Sequence, residues 1–379
     1  MPSFIVSSPA LNRRQWFRHS SLLAAAGALL PGGNARAATE PAAAMAVTQI
    51  VDMSPMQQDI SRDFLAGSRA AWQEYNAQEA PRGRGIRHQV IETDGSAASI
   101  QSALRTAQAD HACVALCGCA GDAAAASIAA LQQSAASPLP IAAPWLQRQW
   151  TDSGNTVFAV FPDYQAQIAH AMKSLAVMGV RQAGVVYATS GHQAALGASI
   201  AAAGSAQGLK LQVLPPDRRP AATPALVLFI GGTPELHAFA HRLGVQPGSH
   251  CYLIALADVN LQVLTQLGGM PRNVSVVVTQ PVPMVSASLP VVRSYRAALG
   301  RLYDEPPSQH GLAGYIAARY TAQVLASLGS SPDRASAMAA FRRRSEQEIG
   351  GYTVAYRGEK LSGANVTQSM LTSDGRIVG

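Results

Sequence analysis

Charge is scarce in this 379-residue chain. Asp, Glu, Lys and Arg together make up 13% of it, against 48% hydrophobic residues. That balance excludes a disordered chain, which needs the reverse. No Lys/Arg run of the kind that grips nucleic acid is present. The densest cluster, Phe341 to Glu348, ends a helical pattern where cations suit the dipole, and acids follow it at once. Cysteine is nearly missing too. Of the four, Cys113, Cys117 and Cys119 crowd together and Cys251 stands apart. With no C-x-x-C and no zinc-finger His spacing, the thiols read as small apolar core groups in preference to redox or metal-binding ones. Glycine is lacking where a dinucleotide-binding loop would need it, since Asp52 to Asp59 after the first strand contains none. G-x-S-x-G, the Walker loop and H-E-x-x-H are also missing. No cofactor and no catalysis are therefore expected.

A bilayer-spanning run is absent from the N-terminus. Ser21–Leu30 is apolar but falls short of the roughly 20 residues a span requires. A charged region precedes it and Ala35-Arg36-Ala37 follows, the order of an export signal cleaved after Ala37. Arg13-Arg14-Gln15-Trp16-Phe17-Arg18 is similar to a twin-arginine motif. Residues 1–37 carry four arginines and no acid. The remainder has 25 basic against 22 acidic residues and is only mildly basic. A periplasmic location is expected.

What is present is a repeated alternation. Met45–Met53 reads as a buried strand. The next helix, Gln58 onward, gathers Ile60, Phe64, Leu65, Ser68 and Trp72 on one face. Strands at Gly85–Asp94, Ala112–Gly118, Leu139–Trp145 and Thr156–Pro162 alternate with helices at Ser96–Asp110 and Asp122–Ser134. A second run of the same kind follows Asp163. Its strands are centred on Val185, Gln212, Leu228, Leu253 and Val277. Two late helices and two closing strands remain. The class is α/β, with parallel sheets and helices on both faces. Two lobes are expected, 45–162 plus 283–350 and 163–282 plus 351–379, with chain crossings near Phe161–Asp163, Thr279–Pro283 and Gly350–Tyr352.

The corner Cys117-Gly118-Cys119-Ala120-Gly121 lies between a strand and the helix that Asp122 opens. Metal, redox chemistry, phosphate and a small organic ligand are all possible occupants of such a corner. The segment Ile91–Trp145, the stretch Val157–Tyr187 with its Asp163-x-x-x-Gln167 helix start, the Tyr-containing helix Gly314–Gly329 and the closing Leu371–Gly379 resemble, in that order, the type I periplasmic solute-binding proteins that serve branched-chain amino-acid uptake. The resemblance implies two Rossmann-like lobes joined by three hinge crossovers. It implies capture of a small amino acid, carboxylate or amide in the interlobe cleft, and an ABC-type membrane permease as partner. It implies no cofactor and a monomer. A ligand-sensing receptor of the same fold is the alternative, and an exported cofactor-dependent enzyme is the more distant one.

Ligands of open α/β sheets sit beyond the carboxyl ends of the strands. There the candidates are Ser54, Cys119, Ala120, Gly121, Ala143, Trp145, His192, Gly232 and Asp258. Backbone N–H groups at the Cys117–Gly121 corner, aided by the helix dipole, would attract an anionic ligand group; otherwise the corner is a plain turn capped by Asp122. The family's hydroxyl-bearing corner is replaced by Cys119, Ala120 and Gly121, and its acid near Ala257 is displaced to Asp258. Trp145 is either a flat apolar wall of the cleft or hinge packing. Asp258 either faces the ligand or caps the Asn260–Gly268 helix. His192 lines the cleft or lies exposed on its Ser-Gly-His-Gln turn. His237 and His241 share a helix face that could hold a metal, but the sequence offers no third ligand. They read as an ordinary surface pair.

Overall fold

The computed structural model describes residues 45–148, 154–220, 223–328, 332–362 and 366–379. The expected export signal lies outside these residues. The chain opens with β1 (Met45–Asp52), buried along its whole length because helices cover both faces. α1 (Gln58–Glu79) buries the predicted Ile60, Phe64, Leu65, Ser68 and Trp72. Then come β2 (Ile86–Thr93), α2 (Ala97–Ala109), β3 (Cys113–Cys117), α3 (Asp122–Gln133), β4 (Ile141–Ala142) and β5 (Val157–Phe158). These five strands form one parallel sheet in the order β2-β1-β3-β4-β5. β4 and β5 have two residues each, shorter than their apolar patterns suggested, because the chain leaves the sheet to build the loops after them.

The chain then enters the second run. It consists of α4 (Tyr164–Val177), β6 (Gln182–Tyr187), α5 (Ser190–Ala206), β7 (Lys210–Leu214), β8 (Leu226–Ile230), α6 (Thr233–Arg242), β9 (Cys251–Ala255), α7 (Leu261–Gln266) and β10 (Val274–Gln280). It returns through α8 (Pro290–Gly300), α9 (Gln309–Ala326), α10 (Arg334–Arg342), β11 (Gln347–Ile349), β12 (Tyr352–Arg357) and β13 (Lys360–Ser362). It ends with β14 (Thr367–Leu371) and β15 (Ile377–Val378). The second sheet runs β15-β14-β10-β9-β8-β6-β7; β14 and β15 are its antiparallel members. The architecture is α/β with parallel sheets in two lobes.

The third change of lobe differs from expectation. It was placed at Gly350–Tyr352, yet β12 pairs antiparallel with β11 and β13, and Tyr352 and Val354 belong to the core cluster of the first lobe. The Tyr352 hydroxyl donates to the Val160 carbonyl at 2.6 Å. The chain joins the second sheet only at Thr367, whose hydroxyl donates to the Val282 carbonyl at 2.8 Å. A short apolar run cannot announce which sheet will receive it.

The first lobe is centred on α1 against α9. At Gly314 an added Cβ would stand 1.8 Å from the Phe64 carbonyl oxygen, and at Gly67 it would stand 1.7 Å from that of Gly311. The two helices thus touch backbone to backbone, which only glycine permits. Between them the Ser68 hydroxyl faces the carbonyls of Phe64 and Gly314 at 3.1 and 3.2 Å and accepts from Gln49.

Candidate functional site

The carboxyl ends of β1, β3 and β4 carry Ser54, Cys119–Gly121 and Ala143–Trp145. Those of β6, β8 and β9 carry His192, Gly232 and Asp258. The two sets face each other across the lobe boundary. The Thr233 hydroxyl donates to Asp59 Oδ2 at 2.7 Å and the Asn260 amide to Asp63 Oδ2 at 3.0 Å, each bond joining α1 to the second lobe. His310, at the start of α9, shares a hydrogen bond of 2.8 Å with the Ala257 carbonyl. Gly232 lies opposite the Met56 carbonyl.

The first-lobe corner is built tightly. Asp52 ends β1 buried, and its Oδ1 accepts from the Ser54 N–H at 2.9 Å. Gly121 has φ +99°, and a Cβ there would meet the Asp52 Cβ at 2.7 Å. Its small size is therefore required by Asp52 as well as by its own backbone. Ala120 is tied to β1 through its N–H to Ile50 O and its carbonyl to Asp52 N, both 3.1 Å. The Cys119 carbonyl accepts from Trp145 N at 2.8 Å, while its side chain belongs to the apolar cluster of Ile50, Leu104 and Ile128. All four cysteines are buried and free. Burial pushes the Cys117 and Cys119 thiols up to about 12, which keeps them protonated and inert. The Cys119 thiol is spent on packing.

Asp122 does not cap its helix. Gly121 stands at that position, and Asp122, the first residue of α3, reaches back to the next loop. Its Oδ1 accepts from Gln147 N at 2.7 Å and Arg148 N at 3.0 Å, and its Oδ2 from Arg148 Nε and Nη2, both at 2.6 Å. A carboxylate in the first turn is favoured by the dipole. It also brings its charge and the Arg148 guanidinium to the cleft edge; the sequence offered Asp122 only as a cap and did not single out Arg148.

Trp145 is 1% exposed. Its ring meets Phe64, Phe161 and His310 with centres 5.8, 5.6 and 5.3 Å away. Phe161 precedes the first crossing, so the contacts of Trp145 are those of hinge packing. Ala143 beside it takes φ +46° while its N–H bonds Phe158 O at 2.9 Å. The waist is further knit by Gln167. Its Oε1 accepts from Ala257 N and from the Thr279 hydroxyl, each at 3.0 Å, and its amide nitrogen donates to the side chain of Gln147. One buried amide thus joins the first crossing, the second crossing and both cleft walls.

In the second lobe Asp258 is not a helix cap either. Asn260 caps α7, accepting from Gln262 N at 3.0 Å and Val263 N at 3.3 Å. Asp258 is partly buried, and its Oδ1 accepts from the Tyr164 hydroxyl at 2.9 Å. Burial first, then the Asp122 and Asp59 carboxylates of the opposite lobe, push it up to about 7, against the Tyr164 bond and Arg148. His192 is half-buried and not free in solvent. Its N–H and Nδ1 engage the Thr189 hydroxyl at 3.2 and 3.1 Å. Burial lowers its pKa, and Glu235, Asp122, and Arg148 all act on it. Asp122, Arg148, Tyr164, His192 and Asp258 thus form one electrostatic neighbourhood drawn from both lobes. Asp59 and Asp63, one turn apart at the start of α1, were readable as a pair of acids on one helix face; their partners were not.

Comparison with known proteins accords with this geometry. A solved substrate-binding periplasmic protein from Ralstonia solanacearum is 20% identical over 88% of this chain and 99% of its own, with a TM-score of 0.75. A leucine-binding protein from Thermotoga maritima is 15% identical over 88% and 99%, with a TM-score of 0.72. A fatty-acid ABC transporter substrate-binding protein from Thermomonospora curvata is 13% identical over 87% and 89%, with a TM-score of 0.68. At these identities the likeness is one of fold. No curated protein matches in sequence. The family model described as periplasmic binding protein matches residues 46–360, and the chain belongs to that family.

Proposed function

We propose that the protein is an exported solute-binding protein that captures a small molecule in the cleft between its lobes and presents it to an ABC-type permease. The reading rests above all on one observation: the carboxyl-end loops of two parallel sheets meet across a boundary closed by Asp59–Thr233 and Asp63–Asn260. Ser54, the Cys119–Gly121 backbone, Ala143, His192, Gly232 and Asp258 are its candidate ligand contacts. Arg148 and Tyr164 join them on the strength of their ties to Asp122 and Asp258. Trp145 supports the floor from the hinge side. The solute class that suits this wall is an amino acid or a small carboxylate or amide. Arg148 and the first N–H groups of α3 offer donors at one end, and Asp258 an acceptor at the other. Residues 1–37 direct export and are removed after Ala37, and the mature protein works as a periplasmic monomer.

Binding works by differential contact. A solute that touches both walls favours the shut arrangement by the contacts it gains there, and the permease reads that shape. The deciding experiment is a thermal-shift screen of the mature chain against amino acids, aromatic acids, short amides and urea. A true ligand raises Tm in a concentration-dependent way, because it binds only the folded state. The rise is lost in Asp258→Asn or Arg148→Ala. A screen without any shift, or steady turnover of a compound, overturns the reading.

A further inference from the structure

We propose that His237 and His241 on α6 form a binding site for a late first-row divalent cation, with Cu(II) and Ni(II) the best matched. The site is separate from the cleft. α6 directs Thr233, Leu236, Phe239 and Ala240 into the core, which leaves His237 and His241 one turn apart on its flank. Their ring centres are 4.4 Å apart. Two imidazoles that share a metal at about 2.1 Å per nitrogen hold their ring centres roughly 4.6–5.3 Å apart for bond angles of about 90–110°. The observed spacing falls about 0.2 Å short of the right-angled end of that range. His241 is exposed, so a small rotation of its ring completes the fit.

A second observation is independent of the spacing. His237 Nε2 is buried and has no hydrogen-bond partner, an arrangement that calls for an occupant. The backbone carbonyl of Leu267, just past the end of α7, interacts with the same ring. A carbonyl that accepts from one ring nitrogen is the usual support of a histidine that binds metal through the other.

Among the described residues no group of three or more His, Cys, Asp or Glu side chains could hold a metal. Water therefore fills the remaining positions. A two-nitrogen site open to water is poor for structural zinc, which takes three or four protein ligands. It suits the tetragonal or octahedral sphere of Cu(II) or Ni(II), the cations that also bind nitrogen most strongly in this series. A cation held there would also stiffen the contact between α6 and the end of α7. The first residues of these helices, Thr233 and the cap Asn260, are those that meet Asp59 and Asp63.

The test uses the mature chain without an affinity tag, freed of metal by a chelator and titrated with Ni(II) in a calorimeter. One equivalent should bind. Affinity should fall at least tenfold in His241→Gln and in His237→Gln, the scale on which even supporting groups alter metal affinity. It should fall again on acidification, as the imidazoles protonate. The Cu(II)-loaded protein should show two nitrogen couplings by electron paramagnetic resonance. His241 is exposed, so its replacement leaves the fold intact and keeps the test decisive. No saturable Ni(II) binding, undiminished binding in the double variant, or a Cu(II) spectrum with fewer than two nitrogens overturns the proposal.

Discussion

The two lobes repeat one alternation of strands and helices but are held by different means. In the first, α1 and α9 meet through Gly67, Gly311 and Gly314, and the contact is backbone on backbone. In the second, α5 is an alanine-rich helix that buries only Leu196, Ile200 and Gly204, and its glycine at 197 has its nearest neighbours at 3.7 Å. The cleft walls follow suit. Cys119, Ala120 and Gly121 are buried, whereas Thr189 to His192 and Asp258 keep part of their surface free. At these positions the first lobe is packed tightly and the second more openly. Tight packing leaves no room for side chains to rearrange, while partly exposed side chains can re-aim at little cost.

The contrast can be broken most forcefully at Gly314. A Cβ there has no space, and the neighbour is backbone that cannot swing away. Gly314→Ala should therefore cost more than about 4 kcal/mol and leave little folded protein, as chemical denaturation or expression yield will show. Next in size is the joint between the lobes. Asn260→Ala removes the cap of α7 and the bond to Asp63 together. It should cost about 1–2 kcal/mol in denaturant unfolding and raise the radius of gyration seen by small-angle scattering.

A smaller effect follows from Asp258. Its pKa is raised in the folded, shut state, so that state holds the proton more tightly than the unfolded chain. The stability tied to it is intact below the ordinary carboxylate value and is lost as pH rises through about 7. Between about pH 5 and about pH 8 the wild-type Tm should fall more steeply than that of Asp258→Asn; equal slopes would remove Asp258 from the linkage. The smallest effect sharpens the comparison from the other side. Gly197→Ala on the loosely packed α5 meets only ordinary contacts and should stabilise by about 0.5–1 kcal/mol through helix propensity, in contrast with Gly314→Ala.

Much of the scaffold was legible because it obeys short-range rules. The apolar stripe of Ile60, Phe64, Leu65, Ser68 and Trp72 named the buried face of α1 from spacing alone. Ser96 was named as a cap and does accept from Ser99 N at 3.2 Å. The site was harder to read. Asp122 and Asp258 were each read as possible caps, the commonest use of an acid before a helix. Instead Gly121 and Asn260 hold those positions, and the acids turn to Arg148 and Tyr164. Trp145 was divided between ligand wall and hinge until Phe64, Phe161 and His310, far apart in sequence, were found around it.

The sequence by itself determined the α/β class and the two-lobe alternation, because hydrophobic period and turn chemistry act over a few residues. Only the tertiary structure decided that Tyr352–Ser362 stay with the first lobe, that Asp59 and Asp63 reach Thr233 and Asn260, and that Asp258 is raised by acids from the facing lobe. Those outcomes depend on distances between groups tens to hundreds of residues apart. Electrostatics and close packing respond to such distances in space, whatever the separation along the chain.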